Sequence, residues 1–240
     1  MKNLIRYGLF IFVSLIIILG LGFYVWSQIT YKPSKELDQL VQEVSDEEGW
    51  VIYKPEESKK TGIILYPGAK VEPEAYSYIA EKLSNKGYLV GIPDVMLNLP
   101  MFNINKAEEA INKYKSIEKW YVGGHSLGGV SAASFAQSHP EKVEGLIFLA
   151  SYPSKGNSYA DSDLPMLSIF AENDGLSTVE EIKEKESLLS DKAVFYEIDG
   201  GNHAQFGVYG SQKGDEMAAI PVEKQQNIIV NVIFDWLEDQ

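Results

Sequence analysis

The 240-residue chain has no cysteine, a single arginine (Arg6) and only three histidines, His125, His139 and His203. Without cysteine there can be no disulfide, no thiolate metal site and no cysteine nucleophile. The histidines form no His-Glu-x-x-His pair, so a catalytic zinc centre is not expected, and nothing in the sequence calls for another metal or cofactor. Positive charge is scarce as well: 21 Lys and Arg face 34 Asp and Glu, for a net charge of −13. An anionic surface almost without arginine repels phosphate backbones, which removes nucleic acid from the expected partners. Internal repeats and low-complexity tracts are also missing.

Charge is absent altogether from Tyr7 to Trp26, a run filled by Leu9-Phe10-Ile11-Phe12-Val13 and Leu15-Ile16-Ile17-Ile18-Leu19. A helix of that length, at about 1.5 Å per residue, crosses the roughly 30 Å hydrocarbon layer of a bilayer. A signal peptide usually has a shorter apolar stretch followed by a small-x-small cleavage site; here the run ends in Phe23-Tyr24-Val25-Trp26, bulky residues suited to a membrane interface. A retained anchor is therefore expected over a cleaved signal peptide. Lys2, Arg6 and the free amino group precede the run, while Lys32 and Lys35 follow it beside Glu36. This bias favours a cytoplasmic N-terminus at the cell membrane, with the rest of the chain outside the cytoplasm. Three parts follow: an anchor over 1–30, a tether or short helix over 31–48, and a folded domain over 49–240. Leu37, Leu40, Val41 and Val44 give the middle part its helical spacing.

Beyond residue 49, apolar runs alternate with amphipathic segments. Strands are expected over Trp50–Tyr53, Gly62–Tyr66, Tyr88–Ile92, Trp120–Gly123, Gly145–Ala150, Met166–Phe170 and Ala193–Ile198. Helices are expected over Pro73–Asn85, Lys106–Ser116, Gly128–Ser138, Val179–Leu189 and Pro221–Leu237. Gly87 caps the first of these, Pro140 closes the third and Pro221 opens the last. Val-, Ile- and Leu-rich strands separated by helices of this length describe an α/β fold with a doubly wound, mostly parallel sheet. The connection from Ala150 to Leu164 is too short for a helical lid.

Gly124-His125-Ser126-Leu127-Gly128 contains Gly-x-Ser-x-Gly between an expected strand and an expected helix. That context is what a nucleophile elbow requires: a strained turn, no side chains at the flanking glycines, and a serine hydroxyl lifted above the sheet near a helix N-terminus. A serine needs a base. His203, in Asp199-Gly200-Gly201-Asn202-His203 after the last expected strand, is placed to reach back over the sheet edge. His125 adjoins the serine and is expected to point elsewhere, and His139 reads as a helix-end residue. Asp174, after the strand ending at Phe170, is the candidate for orienting the imidazole; Glu172 rivals it, and Asp199 and Asp94 are weaker. Oxyanion donors are expected from the backbone N–H of Leu127 and from the Tyr66-Pro67-Gly68-Ala69-Lys70 turn, with Ala69 favoured and Lys70 the alternative.

From Trp50 to Gln240 the chain resembles a compact member of the α/β-hydrolase superfamily, similar to its small esterase and dienelactone-hydrolase-like branches. The order Ser126, Asp174, His203 is that superfamily's order of nucleophile, acid and base. The resemblance implies ester or thioester cleavage through an acyl-enzyme, with a small-molecule or lipid-derived ester as substrate. Tyr66-Pro67-Gly68 stands where many relatives have His-Gly, and serine replaces the cysteine usual in dienelactone hydrolases. Met96, Leu97, Met101 and Phe102, in a loop at the same sheet edge, are expected to line an acyl pocket. An acyltransferase with the same triad, or a membrane-tethered binding protein without catalysis, are the alternatives.

Overall fold

The computed structural model describes residues 2–42 and 44–240; residue 1, and residue 43 within the expected tether, lie outside the described residues. Seven strands form one sheet: β1 (Trp50–Tyr53), β2 (Thr61–Tyr66), β3 (Leu89–Pro93), β4 (Lys119–His125), β5 (Gly145–Leu149), β6 (Met166–Ala171) and β7 (Ala193–Ile198). Their order is β1-β3-β2-β4-β5-β6-β7, with β1 antiparallel to β3 and every other neighbouring pair parallel. From β2 the chain winds first outward to β3, then back across to β4 and on to β7. The carboxyl ends of β2 and β4 therefore flank the topological switch point, the crevice where sheets of this kind bind ligands.

Each strand position matches a sequence expectation to within a residue or two at its ends; the central strands β2 to β6, buried on both faces, must be largely apolar, while the edge strand β7 leaves Val194, Tyr196 and Glu197 exposed. Ile63 and Leu65 join one core cluster while Ile64 and Tyr66 join the other, as the two-residue period of a strand requires. The first cluster is closed by α3 (Ser77–Ser84) and α7 (Val222–Glu238), through Ile79, Leu83, Ile229, Ile233 and Trp236. The second is closed by α4 (Ala107–Lys113) and α5 (Leu127–Ser138), through Ala107, Ala110, Ala132, Phe135 and Ala136. Two expected helices start or end in tighter turns. Pro73 opens a 3-10 turn, Pro73–Tyr76, ahead of α3, and α6 (Val179–Lys185) passes into another, Glu186–Leu188. Gly87, at φ +101, ends the α3 segment as a glycine must.

At the N-terminus, α1 (Lys2–Ser27) contains the apolar span Ile5–Ser27, and almost all of its side chains from Ile5 to Trp26 are exposed. In the segment after it, expected as a tether or short helix, one turn, α2 (Leu37–Leu40), is helical, and Val41 is already extended. Leu37 is buried against Tyr78 and Val208, with Leu40 and Val41 beside it. An isolated helix this short is marginal, so docking decides the conformation, and the apolar spacing served the domain surface. The chain is stitched to the domain immediately after α1. Asn98 Nδ2 donates to the Ser27 carbonyl at 3.1 Å, Tyr31 N–H to the Lys70 carbonyl at 2.7 Å, and Glu72 N–H to the Tyr31 carbonyl at 3.0 Å. Thr30 Oγ1 adds a 2.6 Å bond to the Glu72 carboxylate.

The 150–164 connection is likewise tied down: the Tyr159 hydroxyl donates to the Ala133 carbonyl in α5, and Tyr159 N–H donates to Leu188 O.

Candidate active site

Ser126 sits between β4 and α5 at φ 52, ψ −122, a conformation that non-glycine residues rarely adopt. The turn is forced by packing. A Cβ at Gly124 would lie 2.5 Å from Gly128 C and 2.6 Å from Tyr66 O, and one at Gly128 would lie 2.2 Å from Tyr66 O. Ser126 is held from both sides, by its N–H to Leu149 O at 2.9 Å and by the Ser151 hydroxyl donating to its carbonyl at 2.6 Å. The residue is partly exposed, at the positive end of a 12-residue helix.

Asp174 and His203 come from the loops after β6 and β7, the two strands paired at that end of the sheet. His203 Nδ1 lies 2.8 Å from Asp174 Oδ2, and both residues are buried. The other carboxylate oxygen accepts the N–H groups of Leu176 at 2.8 Å and Ser177 at 2.6 Å, which fixes the carboxylate plane. An ionised carboxylate only accepts, so Nδ1 carries the proton and Nε2 remains the basic nitrogen. The rival acids are occupied or remote: Glu172 Oε2 accepts the Gly200 N–H at 2.7 Å, and Asp199 and Asp94 are exposed. His139 stacks on Phe135 at 4.6 Å and bonds its carbonyl, as a helix-end residue does.

His125 does not point away from the site, contrary to the expectation from sequence. It is buried, with its ring centroid 4.4 Å from that of His203. The Tyr76 hydroxyl accepts the Gly68 N–H at 2.8 Å and is hydrogen-bonded to His125 Nδ1, 2.9 Å away. Burial first, and the neighbouring His203 second, hold the His125 pKa well below the usual imidazole value, so this ring is neutral.

In the turn after β2, Lys70 N–H already donates to Asn98 O at 2.7 Å, while Ala69 N–H and Leu127 N–H donate to no protein acceptor among the described residues. Of the two donors considered for that turn, Ala69 is therefore the free one. The loop residues considered for a pocket are turned outward: Met96, Met101 and Phe102 are 54%, 51% and 42% exposed, and Leu97 is half-buried. They form a ridge beside the site, not the walls of a closed cavity.

Two residues went unnoticed in the sequence. Tyr76 links the β2 turn to the elbow. Asp215 ties the acid and histidine loops together, its carboxylate accepting N–H groups from Gly175 at 3.1 Å, His203 at 3.2 Å, Ala204 at 2.8 Å and Glu216 at 2.9 Å. Neither stands in a motif, and nothing short of the fold points to them. Among the described residues, no group of three or more His, Asp and Glu is arranged to hold a metal ion.

Comparison with known proteins agrees with this architecture. Residues 62–227 match the model of the alpha/beta hydrolase family. A pyrethroid hydrolase from Sphingobium wenxiniae is 35% identical over 98 residues, which cover 37% of this chain and 35% of that protein. The chain thus spans about a third of the length of the curated relative it matches. Among solved structures, an alpha/beta hydrolase enzyme from a sediment metagenome of the Mar Chica lagoon superposes with a TM-score of 0.61 at 18% identity, over 82% of this chain and 99% of that one. A thermophilic esterase from Thermogutta terrifontis superposes with a TM-score of 0.58 at 14% identity, over 79% and 92% of the two chains. With the family match running over more than half of its length, the chain belongs to the alpha/beta hydrolase family.

Proposed function

We propose that the protein is a membrane-anchored serine hydrolase that cleaves carboxylic ester or thioester bonds through an acyl-enzyme. The observation that carries this reading is the buried 2.8 Å Asp174–His203 pair, at the same sheet edge as a serine strained into φ 52. In the proposed cycle, His203 Nε2 takes the proton of Ser126 as Oγ attacks the carbonyl carbon. Asp174 holds the imidazolium, and the N–H groups of Leu127 and Ala69 receive the developing oxyanion. His203 then gives the proton to the leaving group, and a water activated by the same nitrogen releases the acyl group. A relative named for hydrolysis and a structural neighbour named an esterase favour catalysis over binding alone.

The exposed apolar helix α1 supports the membrane anchor, with the N-terminus on the cytoplasmic side and the domain outside. Fluorophosphonate labelling of membranes carrying the wild-type chain and Ser126→Ala is the test. Label on the wild type and none on the variant is expected. Label retained by Ser126→Ala, or absent from both, overturns the assignment. Product analysis with an added alcohol separates hydrolysis from acyl transfer.

A further inference from the structure

The end of α1 and the 96–102 loop meet. The Phe23 ring packs edge-on against Phe102 at 6.3 Å and stacks on Trp26 at 5.7 Å. Lys70 Nζ sits 4.3 Å over the Trp26 ring, and the Asn98 side chain holds the helix's last carbonyl. Phe23 lies four residues before the end of α1, about 6 Å along the axis. Any membrane that α1 crosses must therefore reach Phe102 and its neighbours. Phe23, Tyr24 and Trp26 form the interfacial turn of such a span, and a cation over Trp26 stands at headgroup level.

The junction allows little freedom. Backbone pairing of Tyr31 with Lys70 and Glu72 begins four residues after α1 ends, so no flexible linker separates the helix from the domain. The ridge is also part of the site's frame: Asn98 O accepts the Lys70 N–H next to Ala69, and the turn Pro100–Phe102 packs against α5, which begins directly after Ser126. Beside the Phe23–Phe102 contact, Met96 and Met101 in the same loop are more than half exposed, and a lipid leaflet is the partner continuous with α1.

We propose that Met96, Met101 and Phe102 enter the same leaflet as the last turn of α1, forming a second membrane contact that seats the mouth of the Ser126 site on the bilayer surface. This rests on reading α1 as a membrane span. The substrates it favours are amphiphilic esters resident in the leaflet, whose acyl chains reach the serine along the ridge without passing through water.

The absence of cysteine allows a single reporter to be placed anywhere. The full chain carrying Met101→Cys, labelled with an NBD fluorophore, would be reconstituted into phosphatidylcholine vesicles with doxyl groups either near the headgroup or deep in the acyl chain. Leu15→Cys, within the span, and Ser116→Cys, exposed just before β4 at the opposite sheet edge, are the references. Headgroup-level doxyl is expected to lower emission at position 101 by about half, deep doxyl to quench position 15, and neither to affect position 116. Position 15 quenched with position 101 untouched overturns the second contact while leaving the anchor intact. A blue shift at position 101 without quenching means that protein, such as a second copy, covers the ridge, and also overturns it. Position 15 unquenched removes the anchor and the inference with it.

Discussion

The hydroxyl of Tyr76 stands 2.9 Å from Nδ1 of His125, and the same oxygen accepts the Gly68 N–H at 2.8 Å. One phenol thus fastens the turn that carries Ala69 to the residue beside Ser126, from a position 49 residues earlier in the chain. A Cβ at Gly68 would lie 2.9 Å from His125 Nδ1, so the turn approaches as closely as its backbone permits. Tyr76→Phe keeps the ring and deletes the link. With a buried N–H and an imidazole nitrogen left unpaired, stability should fall by about 2 kcal/mol. Because the turn supplies a proposed oxyanion donor, kcat on a soluble ester should fall about tenfold with KM little changed. Denaturant titration and steady-state kinetics on the same preparation check both.

The neutral state of His125 has a signature in acid. Its folded pKa is depressed, whereas in the unfolded chain an imidazole titrates at about 6.5. Below that pH the unfolded state takes up a proton that the folded state refuses. The stability from this residue is therefore complete above about pH 6.5 and declines as pH falls, by about 1.4 kcal/mol per pH unit until the folded ring protonates. In His125→Asn the amide can still bond the Tyr76 hydroxyl but has nothing to titrate. Its unfolding free energy should fall less steeply than the wild type's between pH 6.5 and 5, and an identical slope would contradict the assignment.

Asp215 touches no proposed reacting atom, yet its carboxylate gathers N–H groups from both loops that supply Asp174 and His203. Asp215→Asn turns one acceptor oxygen into a donor; if the amide nitrogen takes the Oδ2 place, it faces the Ala204 N–H. A loss of about 2–3 kcal/mol in stability is expected, together with a fall in kcat from a displaced imidazole. Asp215→Ala should cost as much or more. Measuring fluorophosphonate labelling rates alongside thermal unfolding separates the positional effect from simple unfolding.

Gly124→Ala tests the elbow. The added methyl would sit 2.5 Å and 2.6 Å from backbone atoms of Gly128 and Tyr66, neither of which can rotate away. Destabilisation of 1–3 kcal/mol or more, roughly the cost of overpacking, should accompany loss of labelling. Gly156→Ala, where a Cβ meets only the Ser154 hydroxyl at 3.9 Å, is the silent control.

What could be read from the sequence divides along physical lines. The central strands were legible because burial on both faces leaves an apolar run, the edge strand β7 because β-branched and aromatic residues fill it, and the elbow because steric crowding admits only glycine at 124 and 128. That Asp174 and His203 would meet was legible because each follows a strand end at the same sheet edge. Tyr76, Asp215 and the inward turn of His125 were not, since each acts through contacts between distant segments that impose no spacing on the chain. Within the segment 31–48, expected as a tether or short helix, the docking partners are hidden for a related reason. Leu37, Leu40 and Val41 are spaced like a helix, but they are held by Tyr78, Val208 and Val222 rather than by each other.

The fastening of the 150–164 segment to α5 bears on the tempo of turnover. A segment stapled at Tyr159 offers no hinge from which a cover could swing. Under the proposed reaction this segment supplies no gate to wait for, so better leaving groups should translate directly into speed.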